Sequence, residues 1–544
     1  MTEGPLIVQS DKTALLEVDH PQAADARHDL AIFAELERAP EHIHTYRITR
    51  LGLWNARAAG HDSDFVLGVL DKYSKFAVPG SVRSDITETM SRYGRLVIQR
   101  SADGELELFS TDRAILTEAS RHRKIAELLD GPISNEAFRI QPWARGQVKQ
   151  ELLKLGWPAE DFAGYTEGTP HEIALEQSEW KIRDYQNQAV AKFWEGGSGV
   201  VVLPCGAGKT IVGAAAMSVA KTNTLILVTN TVSARQWKSE LLRRTTLTED
   251  EIGEYSGSLK EVKPVTIATY QILTTKRKNE YAHLALLNAN DWGLIVYDEV
   301  HLLPAPIFKM TADLQARRRL GLTATLVRED GKEGDVFSLI GPKRFDAPWK
   351  EIESQGYIAP AACFEVRIDL PESERLNYAI ASQDERYRIA ATSNTKIPVI
   401  KELIAKHKGE PTLIIGQYLD QIHEVSAALD VPEITGETPI SERESLFEAF
   451  RTGQLNTLVV SKVANFSVDL PEASVAIQIS GSYGSRQEEA QRLGRLLRPK
   501  ADGRTASFYT LISRDTVDQD FAQNRQRFLA EQGYSYEILD AHNL

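Results

Sequence analysis

Residues Gly199-Val-Val-Val-Leu-Pro204-Cys205-Gly206-Ala207-Gly208-Lys209-Thr210-Ile211 decide the fold. An apolar run ends in a glycine-bearing turn, and Lys-Thr then opens a helix-forming stretch. That order predicts a buried strand, a phosphate-cradling loop and a helix N-terminus, where backbone N–H groups and the helix dipole favour an anion. A second apolar run, 294–297, ends in Asp298-Glu-Val-His301. Together they are the parts needed to hold a nucleoside triphosphate with magnesium and to split it. Pro204, Cys205, Gly206, Ala207 and Gly208 would wrap the phosphates, and Lys209 would reach the terminal ones. Thr210 and Asp298 would hold the metal, and Glu299 would polarise the attacking water. The loop departs from the Gly-x4-Gly-Lys-Thr form, because Leu203 stands where the first glycine would be.

Around this core the pattern is regular. From Trp180 onward, short β-rich runs alternate with helical stretches. The expected strands are 199–203, 224–229, 264–268, 293–298 and 319–323, then 412–416, 456–460, 475–479 and 506–512. Such alternation implies parallel sheets covered by helices, here in two tandem lobes. The first 178 residues carry no nucleotide motif. Helical spacing recurs in 29–37 and 66–74, helices are expected at 64–73 and 82–93, and a hairpin is expected at 95–100 and 105–110. Helices followed by a hairpin predict a winged-helix-like unit over 1–130. Residues 131–178 then form a small segment and linker, with 139–142 extended and 146–155 helical.

A chain of 544 residues predicts roughly three to four domains. Its 42% hydrophobic and 26% charged content is that of a globular protein. Two cysteines exclude a disulfide framework and predict a cytoplasmic protein, and no apolar run is long enough to span a membrane. The net charge of −13 argues against coating nucleic acid through overall charge. It leaves room for a local basic groove, since affinity follows the cations that touch phosphates.

Near the C-terminus stands Gln487-Glu-Glu-Ala-Gln491-Arg492-Leu-Gly494-Arg495-Leu-Leu-Arg498. On a helix, 491, 495 and 498 share one face. Arg495 and Arg498 would act as fingers supplied by the second lobe to ATP bound on the first. A site shared by two lobes makes an ATP-driven machine.

These residues resemble superfamily 2 helicases, most closely the XPB group of DNA helicases and translocases in its bacterial form. The resemblance covers about 180–540. Arg183-Asp-Tyr185-Gln186 stands where the family places its adenine-sensing glutamine. Residues 204–210 and 298–301 are motifs I and II, and Thr229-Asn-Thr231-Val-Ser-Ala-Arg-Gln236-Trp237 resembles motif Ia. Thr269-Tyr270 lies near motif Ib, and Gly321-Leu-Thr323-Ala324-Thr325 is motif III, which with His301 couples hydrolysis to lobe movement. Gly416-Gln417-Tyr418 resembles motif IV, the run from Ser461 to Asp469 motif V, and Gln491 to Arg498 motif VI. Arg328-Glu329-Asp330 matches the element that the XPB group uses in opening duplex DNA, and 372–393 sits where the family carries a thumb-like insertion.

The resemblance implies an α/β fold of two RecA-like lobes, at 179–356 and 357–544, preceded by an α+β accessory region at 1–130 and 131–178. It implies ATP and Mg2+ as cofactors and 3′–5′ polarity. It also implies DNA as partner, forked, single-stranded or duplex, read with little sequence specificity. Thr231, Thr269 and Ser461 would contact the phosphodiester track. The accessory region would take a nuclease or other repair partner. Competing readings are a duplex translocase without strand separation, an RNA helicase, and a recruitment module switched by ATP.

Overall fold

The computed structural model describes residues 4–39, 42–204, 206–257, 259–277, 280–304, 307, 314–315, 317–324, 333–347, 352, 361–461, 473–481, 505–531 and 536–544. The first lobe is a seven-stranded parallel sheet. Its spatial order is Ile252–Tyr255, Val265–Thr269, Thr224–Val228, Leu294–Asp298, Arg318–Thr323, Gly199–Val202 and Lys343–Asp346. Its central strands are apolar throughout because both faces are covered, and Gly199–Val202 and Thr224–Val228 are buried at every position. Val201, Ile226 and Val296 pack on one face, while Val200, Leu225 and Ile295 pack on the other, as the two-residue strand period requires. Val202 pairs with Thr323, and Asp298 with Leu322. The carboxyl ends of three neighbouring strands therefore meet at one edge, where open α/β sheets bind ligands.

The second lobe repeats the plan. Its strands run in the order Glu433–Ile434, Thr457–Ser461, Thr412–Gly416, Val475–Gln478, Ala506–Ser513, Ala361–Ile368 and Tyr536–Asp540, all parallel. The expected strands of both lobes are present, and Ile252–Tyr255, Lys343–Asp346, Ala361–Ile368 and Tyr536–Asp540 add to them. Residues of the thumb-like stretch form two helices, Glu372–Ile380 and Gln383–Ala391, the second opened by a Ser382–Glu385 capping box.

The N-terminal region differs from its sequence expectation. Leu6–Val8, Thr13–Glu17, Ile43–Ile48 and Ala34–Arg38 form a four-stranded antiparallel sheet. Helices Ala23–Leu30, Arg50–Ala58, Ser63–Tyr73 and Gly80–Arg92 share its core. The expected hairpin is present as Val97–Arg100 and Leu106–Phe109, but it belongs elsewhere. It joins Ala137–Ile140, Leu129–Pro132 and Glu160–Asp161 in a five-stranded sheet. Among the described residues the helices and the hairpin belong to two different units and not to one winged-helix unit, and a division near 130 would cut through this second sheet. Apolar residues Ile98, Leu108, Ile140, Val148 and Leu152 form its separate core.

The first unit touches both lobes. Lys343 donates its backbone N–H to Asn55 Oδ1 at 2.9 Å. Ala530, on the helix Val517–Glu531 of the second lobe, is buried in the core that holds Leu36 and Tyr46.

Candidate active site

Gly206 and Gly208 carry φ angles of 83° and 81°, a region that glycine enters without steric cost. A Cβ on Gly208 would lie 2.4 Å from Gln186 Nε2. The helix Lys209–Ala220 begins directly after the loop. Gln186 is buried at the start of the helix Asp184–Gly196, where its Oε1 accepts from the Arg183 N–H at 3.0 Å. Its Nε2 and the Tyr185 hydroxyl both donate to the Ala207 carbonyl, at 2.9 and 2.7 Å. Gln186 thus ties the first helix of the lobe to the loop itself.

Across the sheet edge, Lys209 Nζ stands 2.9 Å from Glu299 Oε1. Glu299 holds a left-handed backbone with φ 48°, which costs a residue with a Cβ about 1–2 kcal/mol. That turn points the carboxylate back over the loop. Asp298 Oδ2 accepts from Trp237 Nε1 at 2.9 Å, and its backbone carbonyl accepts from the Tyr270 hydroxyl at 2.7 Å. The Trp237 ring itself lies against Gly213, where a Cβ would come within 2.5 Å of it. His301 Nδ1 and Thr323 Oγ1 are 2.6 Å apart, both buried, so the turn after one strand is joined to the end of the next.

The two carboxyl groups are set apart electrostatically. Burial and the neighbouring Glu299 charge push Asp298 up. Burial also works to raise Glu299, but the Lys209 and His301 charges outweigh it and hold this carboxyl below its ordinary value. A low carboxylate beside a raised one, facing a lysine at a phosphate loop, suits a centre where added positive charge is to be received. Oxygen donors of Thr210 and Asp298 have the hard chemistry magnesium takes, and the excess of buried negative charge at 298–299 is what such a cation would relieve.

Comparison with known proteins agrees with this geometry. Residues 352–543 match the ERCC3/RAD25/XPB C-terminal helicase family. Residues 179–328 match the type III restriction enzyme res subunit family, and 6–132 match a helicase conserved C-terminal domain. Over its full length the chain is 66% identical to the DNA 3′–5′ helicase XPB of Kineococcus radiotolerans, covering 98% of that protein. The chain belongs to the XPB family of DNA 3′–5′ helicases. An XPB relative from Mycobacterium tuberculosis is 64% identical over 100% of this chain and 99% of its own. Within 95% of this chain and 81% of the relative, identity is 37% to the putative DNA 3′–5′ helicase Rad25 of Haloarcula marismortui.

Among the residues expected from the sequence, the structure brings together Arg183, Gln186, Ala207, Gly208, Lys209, Asp298, Glu299, His301 and Thr323. Cys205, Thr325, Arg328, Glu329, Asp330, Gln491, Arg495 and Arg498 lie outside the described residues. The residues expected at a nucleic-acid track differ in their surroundings. Thr269 is buried and its hydroxyl accepts the Ile272 N–H as a helix cap, and Ser461 is buried at a strand end. Thr231 is half-buried at the first turn of the helix Thr231–Arg244, whose cap is Asn230. Sequence reasoning missed the supports of Asp298. Trp237 and Tyr270 stood within the motif stretches, yet nothing in their spacing says that both reach residue 298.

Proposed function

We propose that this chain is an ATP-driven DNA 3′–5′ helicase whose first lobe binds Mg-ATP through residues 204–210 and 298–301. The observation that carries the reading is the unbroken chain of contacts from Lys209 to Glu299, from Glu299 to His301 at 3.5 Å, and on to Thr323. It runs from the phosphate loop, across the carboxylate that orients water, into the adjacent strand. Magnesium held by Thr210 and Asp298 would supply charge neutralisation at the phosphates. Lys209 binds the terminal phosphate and in doing so leaves Glu299. Glu299, freed from its counterion, orients a water molecule for in-line attack. Gln186 holds the loop and reads the base. Arg495 and Arg498 stabilise the transferred group from the second lobe, so that ATP closes the cleft and hydrolysis reopens it.

DNA contacts fall to backbone amides and surface cations along the two lobes, which position a strand without reading its sequence. Arg328-Glu329-Asp330 is assigned to duplex opening. The five-stranded unit exposes Trp143 and Phe162, which supports its use as a docking surface for a repair protein such as a nuclease.

The test is ATP hydrolysis without nucleic acid, then with single-stranded DNA, duplex DNA or RNA at fixed low salt. Stimulation by DNA and not RNA is expected, followed by unwinding of a duplex bearing a 3′ tail and not one bearing a 5′ tail. Stimulation by RNA alone, or triplex displacement without unwinding, would replace this reading with an RNA helicase or a duplex translocase.

A further inference from the structure

A cavity of about 60 Å³ lies where the two accessory units meet the first lobe. Tyr93, Lys149, Tyr165, Arg319 and Arg344 line it, together with one carboxylate, Asp161. Lys149 comes from the helix Arg145–Leu155 of the five-stranded unit, and Arg319 from the strand Arg318–Thr323 of the lobe. Tyr93 follows the last helix of the first unit. This junction lies at the ends of the strands Gly199–Val202 and Arg318–Thr323 that are opposite to the phosphate loop and Thr323, and its composition is unusual for an interior.

Cations outnumber carboxylates here. Lys149 is 9% exposed and Arg319 is 1% exposed. Asp161 takes both available cations of its own unit, Arg145 in a two-pronged pair and Lys149 at 2.9 Å. Among the described residues Arg319 and Arg344 form no ion pair, and Asp161 and Glu160 act on them only from a distance. Arg319 donates to the carbonyls of Leu339, Leu314, Gln315 and Arg317. Arg344 donates to those of Ser198, Gly196 and Ala58. Arg57 and Arg344 act on Glu160, so among the described residues the cations Arg57, Arg145, Lys149, Arg319 and Arg344 are set against Glu160 and Asp161. Burying positive charge without a counterion is expensive. Burial, together with the Arg319 and Arg145 charges, holds the Lys149 ammonium down to about 8 despite Asp161.

Unused donors point the same way. The Lys149 ammonium has three N–H groups and gives one to Asp161. Among the described residues, Arg319 Nη2 and the hydroxyls of Tyr93 and Tyr165 make no hydrogen bond. Both phenols border the cavity, and burial pushes the Tyr93 phenol up, so that it stays a donor.

We propose that this cavity binds one free tetrahedral oxyanion of the phosphate class, held by the Lys149 ammonium, the Arg319 guanidinium and the Tyr93 and Tyr165 hydroxyls. Several donors converging from different elements suit a multivalent oxygen acceptor better than chloride. The volume admits one such group and no nucleoside. The bound anion fastens the accessory units to the strands Gly199–Val202 and Arg318–Thr323. Their opposite ends carry the phosphate loop and Thr323, so occupancy here stiffens the platform of the ATP site.

The test uses the full chain carrying Lys209→Ala, which removes the phosphate loop as a competing site. Inorganic phosphate is titrated at constant ionic strength, with sodium chloride as balance, and read by thermal unfolding and calorimetry. Saturable stabilisation with one phosphate per chain is expected. Tyr93→Phe should weaken it roughly tenfold, the worth of one hydrogen bond to a charged group, and Lys149→Met should abolish it. Equal stabilisation by chloride alone overturns the proposal, as does an unchanged phosphate response in Tyr93→Phe, a variant that keeps the packing. Displacement of phosphate by a short duplex would assign the site to the DNA backbone and overturn the free-anion assignment.

Discussion

The Lys209 ammonium and the Glu299 carboxylate are paired at 2.9 Å, both largely buried. Each is the counterion of the other until a nucleotide arrives. In the proposed mechanism ATP binding would exchange one charge pair for another and release the carboxylate at the moment it is needed. Glu299→Gln removes the competing charge. ATP affinity should be kept or increased while turnover falls by about 10²–10⁴. Measured Kd and kcat separate the two effects, and a loss confined to affinity would remove Glu299 from the water-orienting role.

The contact between His301 and Thr323 predicts a different phenotype. His301→Ala leaves Lys209, Asp298 and Glu299 in place but cuts the link between neighbouring strands. Basal ATP turnover should change a few-fold at most, whereas its stimulation by DNA should collapse. The ratio of rates with and without DNA is the measurement. An unchanged ratio would show that coupling takes another route.

Trp237→Phe keeps an aromatic ring over Gly213 and deletes the N–H that Asp298 Oδ2 accepts. That hydrogen bond favours the ionised carboxyl, so its loss raises Asp298 further. The acid limb of the ATPase pH profile should move to higher pH, with a smaller change at pH 8. A uniform loss at every pH would mean that the ring, not its N–H, is what matters.

His44 gives a stability prediction in the first unit. Burial, with the Arg27 charge, pushes its imidazole down to about 4, and Nδ1 has no partner. The unfolded chain, with an ordinary imidazole near 6.5, binds the proton first. Stability is thus full above about pH 6.5 and declines as pH falls toward 4, by about 3 kcal/mol at most. His44→Asn cannot take up that proton, and its melting temperature should fall less steeply between pH 6.5 and 4. Parallel pH slopes for the two proteins would contradict the argument.

Much of this was legible in the sequence where a strand is buried on both faces. Runs such as Thr224–Val228 and Leu294–Asp298 announce themselves by continuous apolar content, and the glycines at 206 and 208 mark the loop between the strand Gly199–Val202 and the helix Lys209–Ala220. Ala34–Arg38 was not legible. It lies at a sheet edge, where Glu35 and Glu37 face outward, and Leu30, Phe33 and Ala34 mimic helical spacing just before it. The hairpin at 97–109 was visible as a hairpin, but its partner Ala137–Ile140 is set by long-range packing that local periodicity does not carry. The same holds in the site: the loop and carboxylates are motif residues, whereas Trp237 and Tyr270 acquire their partners only through the fold.

Ala530 and Lys343 give the molecule an arrangement that its linear order conceals. The first unit is seated on one lobe through Asn55 and on the other through Ala530, so units far apart along the sequence are neighbours. Topologically the chain closes on itself like a bracelet with its clasp at the N-terminal unit. A swing of the second lobe must carry that clasp along or unfasten it. Deleting the first unit would therefore do more than shorten the protein, for it would bare a patch of the helix Val517–Glu531.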